Sequence, residues 1–394
     1  MPHIPAYERD SRLTRLETEV VATGEDQGRP FVVLADTVLY PEGGGQPPDH
    51  GTVGGVAVVD VQKAEGGIRH YLAGAPPSGR VAVELDWVRR FDHMQQHTGQ
   101  HLLTAVADVR FGWHTVAFHL GDRISDIELD TPGITAARFV ELEDAVAAEI
   151  RAARPVTARR VSPEEYARLE VRSRGLPEGH TGDIRLVDIA GIDLNTCGGT
   201  HLGSTAEMEA LKLLGTESVR GGTRLFYATG VRLRRILAAH HERNAELRGL
   251  LGTSDEELVA RVGAKLEQLK DAERAARDLE EELAAVTAEA LAARPGAVLT
   301  AHWPQRGLPF LQRVAREAVR LAPDRVVFLT SGEGEEGSFL LAAGEQAALD
   351  VPEVGRRVAE LLGGRGGGSG RVFQGKASRL SRREEAATLL GSGA

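Results

Sequence analysis

Residues 92–110 read DHMQQHTGQHLLTAVADVR. Met94, His97, His101, Leu102, Val106 and Val109 fall near one face at helical spacing. The chain before them has a different period. LETEVVAT, RPFVVLADTVLY, GTVGGVAVVDVQKA, IRHYLA and RVAVELDW, spread over residues 14–88, are rich in Val, Leu and Thr and are separated by Gly, Pro and Asp. That pattern predicts short strands of a small antiparallel barrel or sandwich. The change of period at Asp92 therefore marks the passage from a small β-barrel (1–90) to a second region (91–235) of α+β type. There FVELEDAVAAEIRAA and SPEEYARLEV read as helices, and IRLVDIAG and GTRLFYATG as strands.

Further along, residues 254–293 read as one long helix, with Ser254 and Glu257 as a capping box and Pro295 beyond its end. Val262, Leu269, Ala276, Leu283 and Ala290 recur every seven residues, and Ala272, Leu279 and Val286 fill the companion positions, with Lys265 breaking the series at its start. This suits a coiled-coil arm or helical hairpin over 236–295. A homodimer through this helical or C-terminal region is one reading, and packing within one chain satisfies the same pattern. Residues 296–394 alternate strand-like GAVLTAHW and DRVVFLTSG with the amphipathic LPFLQRVAREAVRLA, an α/β pattern. The whole is a multi-domain α+β protein.

The 394 residues are 42% hydrophobic and 26% charged, ordinary globular composition, and too many for one compact core. No apolar run is long enough to span a bilayer. One cysteine excludes an intrachain disulfide framework, and with no apolar segment at the N-terminus the expected compartment is the reducing cytoplasm. The net charge of −10 argues mildly against nucleic-acid binding. Local charge argues the other way. RAARPVTARR at 151–160, RLRR at 232–235 and the glycine-rich 363–383 stretch, which has six basic residues and no acid, are concentrated positive regions.

The only cysteine lies in NTCGGTH, residues 195–201. Four positions separate His97 from His101, which puts both imidazoles on one helix face. Cys197 and His201 form a second pair on a loop whose glycines allow a tight fold. Three nitrogens and a sulfur suit zinc. His93, four before His97, is the rival ligand. HTGQH lacks the glutamate of H-E-x-x-H, which disfavours metalloprotease chemistry. A buried core thiol is the alternative reading of Cys197. LYPEGGGQPPDHG, residues 39–51, is a loop that can approach a ligand closely, or simply a long hairpin connection.

HTGQHLL followed by CGGTH and GGTRLFYATG, with LYPEGGGQPPDHG before them, resembles the editing domain of alanyl-tRNA synthetases. The glycine-rich C-terminal segment resembles their tRNA-binding C-terminal domain. Because the sequence starts at the barrel, the match is to freestanding alanyl-tRNA editing proteins of the long form. The resemblance implies zinc held by His97, His101, Cys197 and His201, with His93 outside. It implies ATP-independent hydrolysis of alanine tRNA mischarged with serine or glycine, and a C-terminal domain that grips tRNA. Gly43, Gly44, Gly45 and Gln46 are candidates to line the substrate pocket, with Thr115, His119 and Asp122 as further contacts. Arg365, Arg371, Lys376 and Arg379 are candidates for tRNA. A four-ligand site is normally a closed, structural one, so the resemblance leaves open whether the metal activates water or positions substrate, and no general base is legible. Two other readings remain: a metal-dependent phosphoesterase, for which DHM at 92–94 lacks the accompanying aspartates, and a non-catalytic RNA-binding protein with structural zinc.

Overall fold

The computed structural model describes residues 4–172 and 182–391. The chain forms two compact units, Met1–Glu246 and Leu247–Ala394. The first holds both the expected barrel region and the expected α+β region.

After a single turn, α1 (Ala6–Arg9), six strands follow: β1 (Arg15–Asp26), β2 (Arg29–Leu34), β3 (Gly51–Val53), β4 (Val56–Ala64), β5 (Gly67–Leu72) and β6 (Arg80–Leu85). They hydrogen-bond in the order β1-β2-β5-β4-β3-β6, and β1 pairs with β6 as well as β2, which closes the ring. Valines supply most of the interior: Val32, Val53, Val58, Val61, Val81 and Val83 are buried. Gly54 and Gly55, at φ of 57° and 82°, make the tight β3–β4 turn that β-carbons would resist.

Helix α2 (Trp87–Phe111) begins five residues before the expected Asp92. Asp86 caps it, its side chain accepting from Arg89 N, and Gly112 ends it in the left-handed conformation. Residues 93–107 are buried, on the polar side as well as the apolar one. One face packs Met94, Leu102, Leu103 and Val106 into a core with two sheets. The first sheet is β12-β13-β8-β7, built from β7 (Thr115–His119), β8 (Ser125–Leu129), β12 (Leu211–Val219) and β13 (Gly222–Thr229). The second is β11-β10-β9, built from β9 (Val156–Val161), β10 (Ile184–Ile189) and β11 (Asp193–Thr196). Helix α3 (Ala136–Arg151) adds Leu142, Val146 and Ile150 to that core. The helix expected over SPEEYARLEV is only one turn, α4 (Pro163–Tyr166), capped by Ser162. Helix α5 (Gly230–Leu251) follows β13 directly.

A buried ion pair fastens α2 to the loop over 39–51. Arg90 Nε donates to Asp49 Oδ2 at 2.9 Å, and its terminal nitrogens donate to the carbonyls of Ser11 and Val38. Asp49 also accepts from Tyr40 N at 2.6 Å. Both side chains are fully buried, so the pair holds only because every donor has an acceptor.

In the second unit, helix α6 (Leu258–Ala292) starts later than the expected capping box. Glu257 takes the cap position without a capping bond from its side chain, and Ser254 does not serve. Strands β14 (Val298–Trp303), β15 (Val326–Ser331), β16 (Gly337–Ala343), β17 (Arg365–Ser369) and β18 (Val372–Ala377) form one sheet, ordered β14-β15-β16-β18-β17. Only β14 and β15 run parallel. Helices α7 (Leu308–Leu321), α8 (Val351–Leu361) and α9 (Arg383–Gly391) cover it. The glycine-rich basic stretch over 363–383 contains the β17–β18 hairpin. Among the described residues no helix is long and apolar enough to cross a membrane.

Candidate metal centre

His97 and His101 occupy successive turns of α2, their ring centroids 5.2 Å apart. Cys197 and His201 come from the loop after β11. One ligand atom from each of the four residues lies within 4.8 Å of all the others. Cys197 Sγ is 3.4 Å from His97 Nε2 and 3.3 Å from His201 Nε2. Tetrahedral bonds of zinc length would set ligand atoms about 3.3–3.6 Å apart, a range that both sulfur–nitrogen distances meet.

The outer partners fix which nitrogen each imidazole offers. His97 Nδ1 lies 2.8 Å from Gln46 Oε1, His101 Nδ1 lies 3.2 Å from Asp193 Oδ2, and His201 Nδ1 lies 3.2 Å from Thr98 Oγ1. Gln46 Oε1 already accepts from Thr200 N, and Thr98 Oγ1 from Leu202 N. The amide oxygen of Gln46 and the carboxylate of Asp193 can only accept, so Nδ1 of His97 and of His101 faces them with its proton and Nε2 is turned towards the other ligands. Arg185 holds the loop by donating to the carbonyls of Cys197 at 2.6 Å and Gly199 at 2.9 Å. Gly199 has no room for a side chain, because a β-carbon would run into the His97 ring and Gln46 Oε1.

The electrostatics favour a thiolate. Burial alone would push the Cys197 thiol up, but the imidazoles of His97, His201 and His101 hold it well below the ordinary value. Burial, with His97 alongside, brings His201 down to about 3. His101 rises to about 9 against its burial, through Asp193 and Cys197.

The centre opens into a cavity of about 580 Å³. One stripe of α2 lines it: His97, Gln100, His101, Thr104 and Asp108. Gln100 Nε2 donates to Thr104 Oγ1 at 3.0 Å, and Thr104 Oγ1 lies 2.9 Å from Thr115 Oγ1. At the mouth His114 Nδ1 sits 2.7 Å from Asp108, and Arg172 bridges Asp108 to Asp193. A chain of paired charges therefore runs from the rim to the outer side of His101.

Of the residues expected around the substrate, Gly44, Gly45 and Thr115 line this cavity. Gly45, at φ of 80°, lies against the Phe118 ring, where a β-carbon would clash. Gly43 is set back, its carbonyl accepting from the Tyr40 hydroxyl. Gln46 is fully buried behind His97 instead of facing the cavity. His119 is exposed, with Asp126 at 3.2 Å, and lies off the lining with Asp122. His93 is buried four residues before His97, outside the cluster, with Nδ1 unpartnered. Asp92 of DHM is held by Arg232 at 2.9 Å. Sequence reasoning missed Asp193, Thr98, Thr104, Gln100 and Arg185. Of these, Thr98, Gln100 and Thr104 could have been found by tracing the His97–His101 face.

Arg365 and Lys376, cross-strand neighbours in the β17–β18 hairpin, are exposed, as is Arg379. Arg371 is turned inward, donating to the carbonyls of Ala343 at 3.0 Å and Ala347 at 2.6 Å.

Residues 184–227 match the family model described as the threonyl and alanyl tRNA synthetase second additional domain. The Danio rerio alanyl-tRNA editing protein Aarsd1 is 39% identical over 363 residues, covering 91% of this chain and 87% of that protein. The alanine–tRNA ligase of Pyrococcus abyssi is 30% identical over 96% of this chain but only 42% of the ligase. The C-Ala domain crystal structure from Aquifex aeolicus alanyl-tRNA synthetase aligns at a TM-score of 0.23 and 24% identity, over 24% of this chain and 87% of that domain, too slight a likeness to carry an argument. With more than a third of its residues shared over nearly its whole length, the chain belongs to the alanyl-tRNA editing protein family.

Proposed function

We propose that the protein hydrolyses the ester linking a wrong amino acid, serine or glycine, to alanine tRNA, releasing free amino acid and intact tRNA. The observation that carries this reading is the four-ligand cluster opening on a cavity lined by paired hydroxyls. A zinc ion bound there would polarise a carbonyl or anchor the aminoacyl group.

The residues of the cavity account for a preference for serine. Thr104 Oγ1 already accepts from Gln100, and it shares one hydrogen with Thr115. Two hydroxyls with one bond between them leave one hydrogen over, whichever of them donates. That hydrogen is available to the serine hydroxyl. Alanine cannot accept it, so the donor loses a partner when alanine enters, and this is the larger kind of discrimination. Asp193 and Gln46 keep the histidines oriented, and Arg185 keeps the Cys197 loop in place.

In this reading residues 1–90 brace the site, 91–235 carry the hydrolysis, 236–295 are a helical connection, and 296–394 hold tRNA. Arg365, Lys376 and Arg379 are exposed to meet phosphate. The deciding assay follows deacylation of serine-charged alanine tRNA, with alanine-charged tRNA as control. Serine should be released in preference, and Cys197→Ala should lose zinc and hydrolysis together. Equal hydrolysis of both substrates, or an active zinc-free variant, would sink the reading.

A further inference from the structure

The stripe of α2 that lines the cavity does not stop at its edge. His97, His101, Thr104 and Asp108 follow one another at three- and four-residue steps, and the next step is Phe111, the last residue of the helix. Gly112 then ends the helix, and the Trp113 ring stacks on Phe111, with centroids 4.5 Å and planes 18° apart. The Arg138 guanidinium lies over the Phe111 ring at 5.3 Å. Both rings rest on the core of the unit, yet both are only partly buried. The residues that follow, His114 and Thr115, line the cavity. Two stacked aromatic planes and a cation therefore stand beside its mouth.

Distance along the stripe says what the rings are placed to meet. In the hydrolytic reading the serine side chain sits at Thr104 and Thr115. From Thr104 to Phe111 is seven residues, a rise of about 10 Å. An aminoacylated RNA end sets out its parts in the same order over a similar reach: side chain, ester, ribose, terminal base. The middle of the stripe is polar, where Asp108 is paired with His114 and Arg172, and suits a ribose. Its end is aromatic. The bases at an unpaired RNA end are held by proteins through stacking on aromatic rings and guanidinium planes. The metal cluster and the hydroxyl pair address the amino acid alone, so recognition of the nucleotide needs a further contact.

We infer that the Phe111–Trp113 pair is a stacking platform for the terminal base of the aminoacylated RNA, with Trp113 as the ring that meets it. The inference rests on the hydrolytic reading of the same cavity and gives that cavity its hold on the nucleotide. Every base has a π face, so the platform selects for a nucleotide and not for one particular base.

The test uses an acceptor-arm RNA hairpin that carries serine at its 3′ end through an amide, which resists hydrolysis. A second hairpin is identical but lacks the terminal base. Fluorescence anisotropy measures the affinity of the full chain, supplied with zinc, for each. The wild type should bind the base-bearing hairpin at least about tenfold more tightly than the abasic one. Trp113→Leu keeps apolar bulk without a ring, and should bind both hairpins as the wild type binds the abasic one. Trp113→Phe should keep most of the difference. The platform is overturned by a Trp113→Leu variant that keeps the full difference. It is overturned equally by one that weakens both hairpins alike, the mark of lost packing, or by a wild type indifferent to the base. Release of serine from the ester form decides the hydrolytic reading separately. A wild type that tells the hairpins apart but releases no serine keeps the platform and loses the hydrolysis.

Discussion

Asp193 lies between a guanidinium and an imidazole, with Arg172 Nε on one carboxylate oxygen at 2.9 Å and His101 Nδ1 on the other at 3.2 Å. Its charge holds one imidazole with Nε2 towards the other ligands. Asp193→Asn keeps the shape and removes that charge, and metal affinity measured by chelator competition should fall about 10–100-fold. His70, in the barrel, shows the opposite use of burial. It is neutral, with Val32 O at 3.3 Å from Nδ1 and Thr37 Oγ1 at 2.9 Å from Nε2, and burial lowers its pKa from 6.5 to about 4. The unfolded chain takes up that proton more readily than the barrel does. The contribution of His70 is complete above pH 6.5 and is lost as pH falls to 4, by about 3 kcal/mol. Urea unfolding at pH 7 and pH 4 should show this loss, and His70→Gln should reduce it. The four clustered side chains were legible because each pair sits within five residues of sequence. Asp193 was not, because it meets His101 across 92 residues and an aspartate among hydrophobic strands carries no local sign of its partner.

The elements show where local patterns succeed and where they are overruled. The stripe of α2 follows directly from helical period, and its expected histidines are where the period puts them. Its start was misplaced, because the Asp86 cap was hidden behind the strand-like RVAVELDW. The CGGTH loop is shaped by contact. Gly199→Ala would push on the His97 ring, so zinc content by elemental analysis should drop sharply while the barrel still unfolds cooperatively. The Arg90–Asp49 pair fixes the loop over 39–51 to α2. Arg90→Met leaves a buried carboxylate unpaired and should cost about 3–5 kcal/mol in denaturant unfolding. The glycine-rich segment gave no sign of strand, because glycine favours neither strand nor helix. Cross-strand pairing with β16 and between β17 and β18 makes it sheet.

At the scale of the whole molecule, charge is divided rather than averaged. Basic residues counted as one patch in the sequence have different tasks in the second unit. Arg371 caps a turn, while Arg365, Lys376 and Arg379 remain exposed. Reversing Lys376 to Glu should lower tRNA affinity about uniformly across sequences and reduce the slope of affinity against salt by about 1. Arg371→Ala should instead lower the stability of the unit in thermal unfolding. Nothing in the sequence separated these arginines, since an inward carbonyl cluster is made by residues far from the arginine it receives. The side chains of the candidate metal centre are also widely spaced, with Cys197 following His97 by 100 residues. During synthesis at about 5–20 residues per second, the histidine pair emerges roughly 5–20 s before the thiol that completes it. For that interval the nascent chain carries half of the cluster, and an ion that needs all four groups would be captured only once the CGGTH loop has left the ribosome.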